Sequence, residues 1–186
     1  QFEKGLVHIK RAIAINPNAH FGREIVQQWL VEHIIARMNG LVSAEVPKQD
    51  QLVSALIDRK EDFSGFCRAR FRAQSTAASS ESWDQQRTFI FKGLLGMMRF
   101  GNFRSPILLI ALADIIGGQI YRGQRLAARA LLIAKSQVSD PKILKQYDEL
   151  IFWRAYMQVM KRVEGTTKID TIALRLKDEL EDADSW

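Results

Sequence analysis

A chain of 186 residues, 47% of them hydrophobic and 26% charged, suffices for one buried core and has the composition of an ordinary soluble globular protein. Its single cysteine, Cys67, excludes an internal disulfide framework, and its longest apolar run, Ile107 to Ala113, is stopped by Asp114 far short of the ~20 residues that span a bilayer. The net charge of +6 is uneven: residues 173–186 set two basic side chains against five acidic ones, a local −3 that leaves +9 elsewhere, which fits two solvated charged faces, an anionic partner, or an acidic tail lying on a basic body.

The first predicted helix runs through Phe2, Leu6, Ile9 and Ile13 and stops at Pro17, where the helix can no longer continue. Asn18 is the expected N-cap of a second, with Phe21, Ile25, Trp29, Val26, Leu30, Ile34 and Met38 in two adjoining apolar stripes and Glu24, Gln28 and Glu32 on the polar side, ending near Asn39 and Gly40. The tight link predicts an antiparallel pair. Pro47 opens a region with Leu52, Val53, Leu56 and Ile57 on one face. From Cys67 to Ala73, three arginines alternate with small or apolar residues at the period of a strand, so residues 61–81 are expected to form an irregular or mobile insertion in a single domain spanning 1–186. Ser82 and Gln85 have capping-box spacing ahead of a helix that ends near Gly101. Ser105 and Pro106 start the next, Gly117 and Gly118 break it, and a return helix over about 124–137 completes a second hairpin. Asp140 and Pro141 begin a long helix with Ile143, Tyr147, Leu150, Trp153, Met157 and Met160 along one side and Gly165 at its end. Thr167 caps a last one whose Ile169, Ile172, Ala173, Leu176 and Leu180 face inward.

Gly5, Ile9 and Ala12, followed by Pro17, have a small, large, small order at increments of four and three. This stretch resembles the second helix and exit turn of a tetratricopeptide repeat, and Ala127, Leu131 and Ala134 repeat the order at the same increments, though Pro141 follows two residues late and Ile115 stands where a small residue is usual. The resemblance implies a degenerate repeat protein: all-α, with antiparallel helix hairpins packed as a right-handed superhelix. Each trio is expected to seat one helix closely on its mate. It also implies a chain that begins halfway through a unit, from which upstream repeats or a targeting signal could be missing, so the compartment stays open.

Catalytic chemistry finds little support. Glu32 and His33 lack the second histidine of a helical zinc-protease motif, and there is no phosphate loop, dinucleotide fingerprint or nucleophile elbow. His20 and Glu24, four apart, could share a metal or a proton, but an ordinary surface pair is expected. His8 should face solvent or a neighbouring repeat, and His33 should be packed or on the surface. Arg68 and Arg70 could activate Cys67, yet no histidine lies near it in sequence, and a buried apolar role is expected. Trp29, Trp153 and Tyr156 are expected in the core. The chain is thus expected to be no enzyme, to hold no cofactor or metal, and to act as a protein- or peptide-binding scaffold. Its candidate contacts are Arg23, Gln27 and Gln28 on the second helix and Arg68, Arg70 and Arg72 in the basic segment. Self-association through Phe2, Leu6, Ile9 and Ile13 is a further expectation. The alternative is nucleic-acid binding, with the three arginines on phosphates and Phe66 and Phe71 stacked on bases.

Overall fold

Apolar residues recur at helical spacing along the chain, and the computed structural model is accordingly all-α. It describes residues 2–17, 22–38, 49–57, 62–74, 81–117, 122–159 and 178, with backbone alone for 122 and 153–159, and among these there are eight helices and no strand. They are α1 (Phe2–Ile15), α2 (Arg23–Met38), α3 (Gln49–Ile57), α4 (Phe63–Gln74), α5 (Trp83–Phe100), α6 (Pro106–Gly117), α7 (Arg122–Lys135) and α8 (Pro141–Val159). The expected caps at Asn18 and Thr167 and the last helix lie outside the described residues.

Local signals explain where several helices start. At α5 the Ser82 hydroxyl accepts from the Gln85 N–H at 3.3 Å while the Gln85 side chain accepts from the Ser82 N–H at 2.7 Å, a complete capping box. Pro106 occupies the first turn of α6, where its missing N–H has no intrahelical partner to lose. At α8 the Asp140 carboxylate accepts from the Lys142 N–H at 2.8 Å.

Six helices pack in series: α1 on α2, α2 on α5, α5 on α6, α6 on α7 and α7 on α8. The α6–α7 contact is the most extensive of these. The other two stand outside the series. α3 lies against α2, α6 and α8, and α4 against α6, α2 and α5, so each bridges helices that are not consecutive in the series. Arg37 of α2 donates to the Ala55 carbonyl of α3 at 3.0 Å, and Ser54 of α3 meets Gln146 of α8 at 3.4 Å. α6 therefore touches four helices, which is why it is apolar nearly all round, with Leu109, Ile110, Ala111, Ala113 and Ile115 all buried. Val53, Leu56, Ile57, Phe63, Cys67, Tyr147 and Ile151 join the same core.

Residues 63–74 correct the expected irregular insertion: they form α4. Asp62, not weighed in the sequence, caps it, its carboxylate accepting from the Gly65 N–H at 2.7 Å. Phe63 and Cys67, four apart, are buried on one side, so helical spacing prevails over the strand-like alternation of the arginines. The helix turns Arg70 to a different side from Arg68 and Arg72, which are four apart. Residues 75–80 of the expected insertion lie outside the described residues.

The two small–large–small trios fare differently. Ala127, Leu131 and Ala134 are fully buried, and they seat α7 against its neighbours. Gly5 and Ala12 are exposed, Ile9 is half-buried, and a Cβ built on Gly5 would meet nothing within 4 Å. α1 instead carries its half-buried residues at Phe2, Leu6, Ile9 and Ile13, spaced along one stripe, and packs on α2. The close helix approach lies at Gly93 of α5, where an added Cβ would come within 2.7 Å of the Val26 Cβ on α2.

Candidate functional site

α5 and α7 both pack on α6 without a substantial contact with each other, and the space between them is a groove of about 720 Å³. Phe91, Leu95 and Met98 line the α5 wall, Leu126, Ala130 and Ile133 the α7 wall, and Leu112 and Ile116 lie on the floor. Several of these apolar groups remain open to solvent: Leu95 is 42% exposed, Leu126 53%, and Phe103, in the turn after α5, 62%. A largely apolar concavity with a few polar groups at its edge is the usual form of a binding site.

Three arginines line the same groove. Arg87 lies near the start of α5, Arg104 just after its end, and Arg129 midway along α7; among the described residues no aspartate or glutamate lines it. Arg87 is paired with Asp84 at 3.2 Å, and the Arg104 guanidinium lies 5.4 Å from the Phe103 ring centre. Nearby, Arg23 and Arg99 both stack on the exposed Phe100, at 5.5 and 5.7 Å.

The contacts expected from the sequence fall elsewhere, and mostly into the fold itself. Arg23 pairs with Glu24 at 3.5 Å, Gln27 is half-buried, and Gln28 donates to Glu32 at 3.0 Å. Glu32 is a hub rather than a solvent-facing group, receiving Lys10 of α1 at 3.2 Å and Arg70 of α4 as well. Arg68 stacks on Trp83 at 5.0 Å, and Arg72 points outward. Phe66 packs on His33 at 5.0 Å and Phe71 on Trp83 at 6.1 Å. Phe66 and Phe71 thus each pack on another ring of the fold, and Arg70 lies on a different side of α4 from Arg68 and Arg72. His20 lies outside the described residues, and Glu24 is half-buried.

Cys67 is fully buried, and burial first, then the Asp62 and Asp114 carboxylates, push its thiol far above the ordinary range. It is the packed residue that was expected, and not a thiolate. His33, 1% exposed between Phe63 and Phe66, is lowered to about 4 by burial and by Arg37, against the opposing pull of Asp62. Its Nδ1 has no hydrogen-bond partner among the described residues. Asp114, buried on α6, accepts the N–H of Phe63 at 3.1 Å, so a carboxylate sits at the positive end of α4. Among the described residues, no three histidine, cysteine or acidic side chains are grouped as a metal site, and no helix is long and apolar enough to cross a membrane.

The groove was not foreseen. The available signal was the surplus on α5: Phe89, Ile90, Phe91, Leu94, Leu95, Met97 and Met98 occupy more of its circumference than its neighbours α2, α4 and α6 cover. No protein-family model matches the chain, and neither a curated protein nor a solved structure matches it.

Proposed function

We propose that this chain is a non-catalytic helical scaffold of degenerate tetratricopeptide type that binds a segment of another protein in the groove between α5 and α7. The observation that carries this reading is the apolar trough itself: side chains from three helices converge on it, and Leu95, Leu126 and Phe103 stay open to water there. α3 packs on α2, α6 and α8 and α4 on α2, α5 and α6, whereas among the described residues no helix lies across the α5–α7 groove. The buried trio Ala127, Leu131 and Ala134 supports the repeat-like packing of this hairpin.

Selection of a random peptide library on the immobilised chain tests the reading. Enriched peptides are expected to lose binding to a Leu126→Arg variant that keeps its unfolding midpoint. Failure to enrich any peptide, or binding indifferent to Leu126→Arg and Leu95→Arg, overturns it.

A further inference from the structure

We infer that the segment held in this groove is an amphipathic helix of about three turns, supplied by a partner protein and carrying carboxylates along the flanks of its apolar face. The inference rests on the reading above and adds the conformation and charge of the occupant.

The dimensions come first. On α5 the lining runs from Arg87 to Met98 and on α7 from Gly123 to Ile133, which at 1.5 Å per helical residue is roughly 16 and 15 Å, with Ser136 lining just past the end of α7. A helix of about 11–13 residues fills that length. The walls have helical relief: Arg87, Phe91, Leu95 and Met98 recur every three or four residues on α5, as do Gly123, Leu126, Ala130 and Ile133 on α7. Such rows are ridges into which the ridges of another helix interdigitate, and the small Gly123 and Ala130 give an incoming side chain room on one wall.

Backbone chemistry selects a helix over an extended peptide. Both walls and the floor are helices, whose N–H and C=O groups are spent within the helices themselves. An extended segment lying among them would find no sheet edge to pair with, and its own amides would be desolvated without partners. A helix arrives with its backbone already satisfied, needing only an apolar face.

Charge then fixes the flanks. Arg87, Arg104 and Arg129 lie along the lining, with no acidic residue beside them among the described residues. The exposed Lys92 and Arg99 on α5 and Arg125 on α7 have the same sign. α7 contains no acidic residue and Asp114 of α6 is turned to the N-terminus of α4, while the exposed Asp84 of α5 pairs with Arg87 and balances its charge, so the surplus along the rim comes from the other basic residues. Carboxylates beside the apolar face of the incoming helix would be drawn along this rim, whereas lysines there would be repelled.

Two labelled peptides of about 14 residues separate the possibilities, both with leucines at the i, i+3, i+4, i+7 positions of one face and either glutamate or lysine elsewhere. Fluorescence anisotropy with the full chain is expected to show the glutamate peptide binding at least about tenfold tighter than the lysine peptide, with affinity falling as salt rises. A scrambled glutamate peptide of the same composition should bind about tenfold more weakly, because its leucines no longer share a face. Reversing charge at Arg87 and Arg129 together should invert the preference, and Leu126→Arg should abolish binding of either peptide. No binding of the glutamate peptide overturns the inference, as does equal binding of the scrambled one or tighter groove-dependent binding of anionic lipid vesicles. Equal binding of the glutamate and lysine peptides that is still lost in Leu126→Arg overturns the charge assignment alone and leaves the scaffold reading standing.

Discussion

Two glycines inside helices make opposite predictions for the same substitution. Gly5 is exposed on α1, and a Cβ there meets nothing within 4 Å, so Gly5→Ala should stabilise the fold by the helix-propensity difference alone, about 0.5–1 kcal/mol. Gly93→Ala brings the same propensity gain to α5, but its Cβ would lie within 2.7 Å of the Val26 Cβ and 3.1 Å of one of its methyls. Val26 is fully buried, and its Cβ is fixed to the backbone of α2, so rotating the side chain cannot relieve the contact and the two helices must separate. Overpacking of that kind costs about 1–3 kcal/mol, which against a propensity gain of about 0.5–1 kcal/mol leaves a net loss of up to about 2.5 kcal/mol. Urea unfolding of the two single variants should therefore move in opposite directions. Val26→Ala alone leaves a cavity, but combined with Gly93→Ala it roughly conserves volume, so the double variant should be at least about 1 kcal/mol more stable than the sum of the two losses. If Gly93→Ala stabilises as Gly5→Ala does, or the double variant is merely additive, the α2–α5 crossing is not where it is placed here.

Other consequences of the buried polar groups are open to measurement. Asp114→Ala removes the acceptor of the Phe63 N–H at the start of α4 and should cost about 1–3 kcal/mol, with faster hydrogen exchange in α4, while Asp114→Asn, which keeps an acceptor oxygen, should recover part of the loss. His33 is neutral in the fold down to about pH 4 but takes up a proton near pH 6.5 once unfolded, so its stabilising share is complete above pH 6.5 and is lost as pH falls from there to about 4. The shift corresponds to about 3 kcal/mol over that window, and His33→Gln should flatten the stability–pH curve by that amount in denaturant titrations at successive pH values. The Cys67 thiol, fully buried and held in its protonated form, should resist Ellman's reagent in the native chain and react on addition of denaturant; rapid labelling under native conditions would mean that α4 is open.

Helix positions were legible wherever the signal was local. The capping box at Ser82 and Gln85, the proline starts at Pro106 and Pro141, and the apolar face of Leu52, Val53, Leu56 and Ile57 depend on residues a few positions apart, and each appears in the fold. α4 was misread because its alternating arginines imitate a strand, whereas the groups that settle its conformation, Asp114 on α6 and Glu32 and His33 on α2, are distant in sequence. Gly5 and Gly93 show the same limit in one residue type: a glycine marks a close approach only when another helix is there, and the sequence alone does not say which of the two has one.

The same reasoning separates the two groups of arginines. Arg68, Arg70 and Arg72 form a visible sequence motif, but a helix turns each residue through about 100°, so Arg70 is carried to Glu32 while Arg68, against Trp83, and Arg72 stay on the outer side. Arg87, Arg104 and Arg129 have no motif at all, being separated by 17 and 25 positions, yet the packing of α5 and α7 on α6 brings them to one trough. Packing also decides which apolar side chains are spare. Ile90 and Leu94 of α5 are buried in the core, whereas Leu95, on the same helix, is left at the trough because α7 lies too far off to cover it. A recognition surface built this way has to be sought in the gaps of the helix series, where apolar side chains remain after every internal contact has been made.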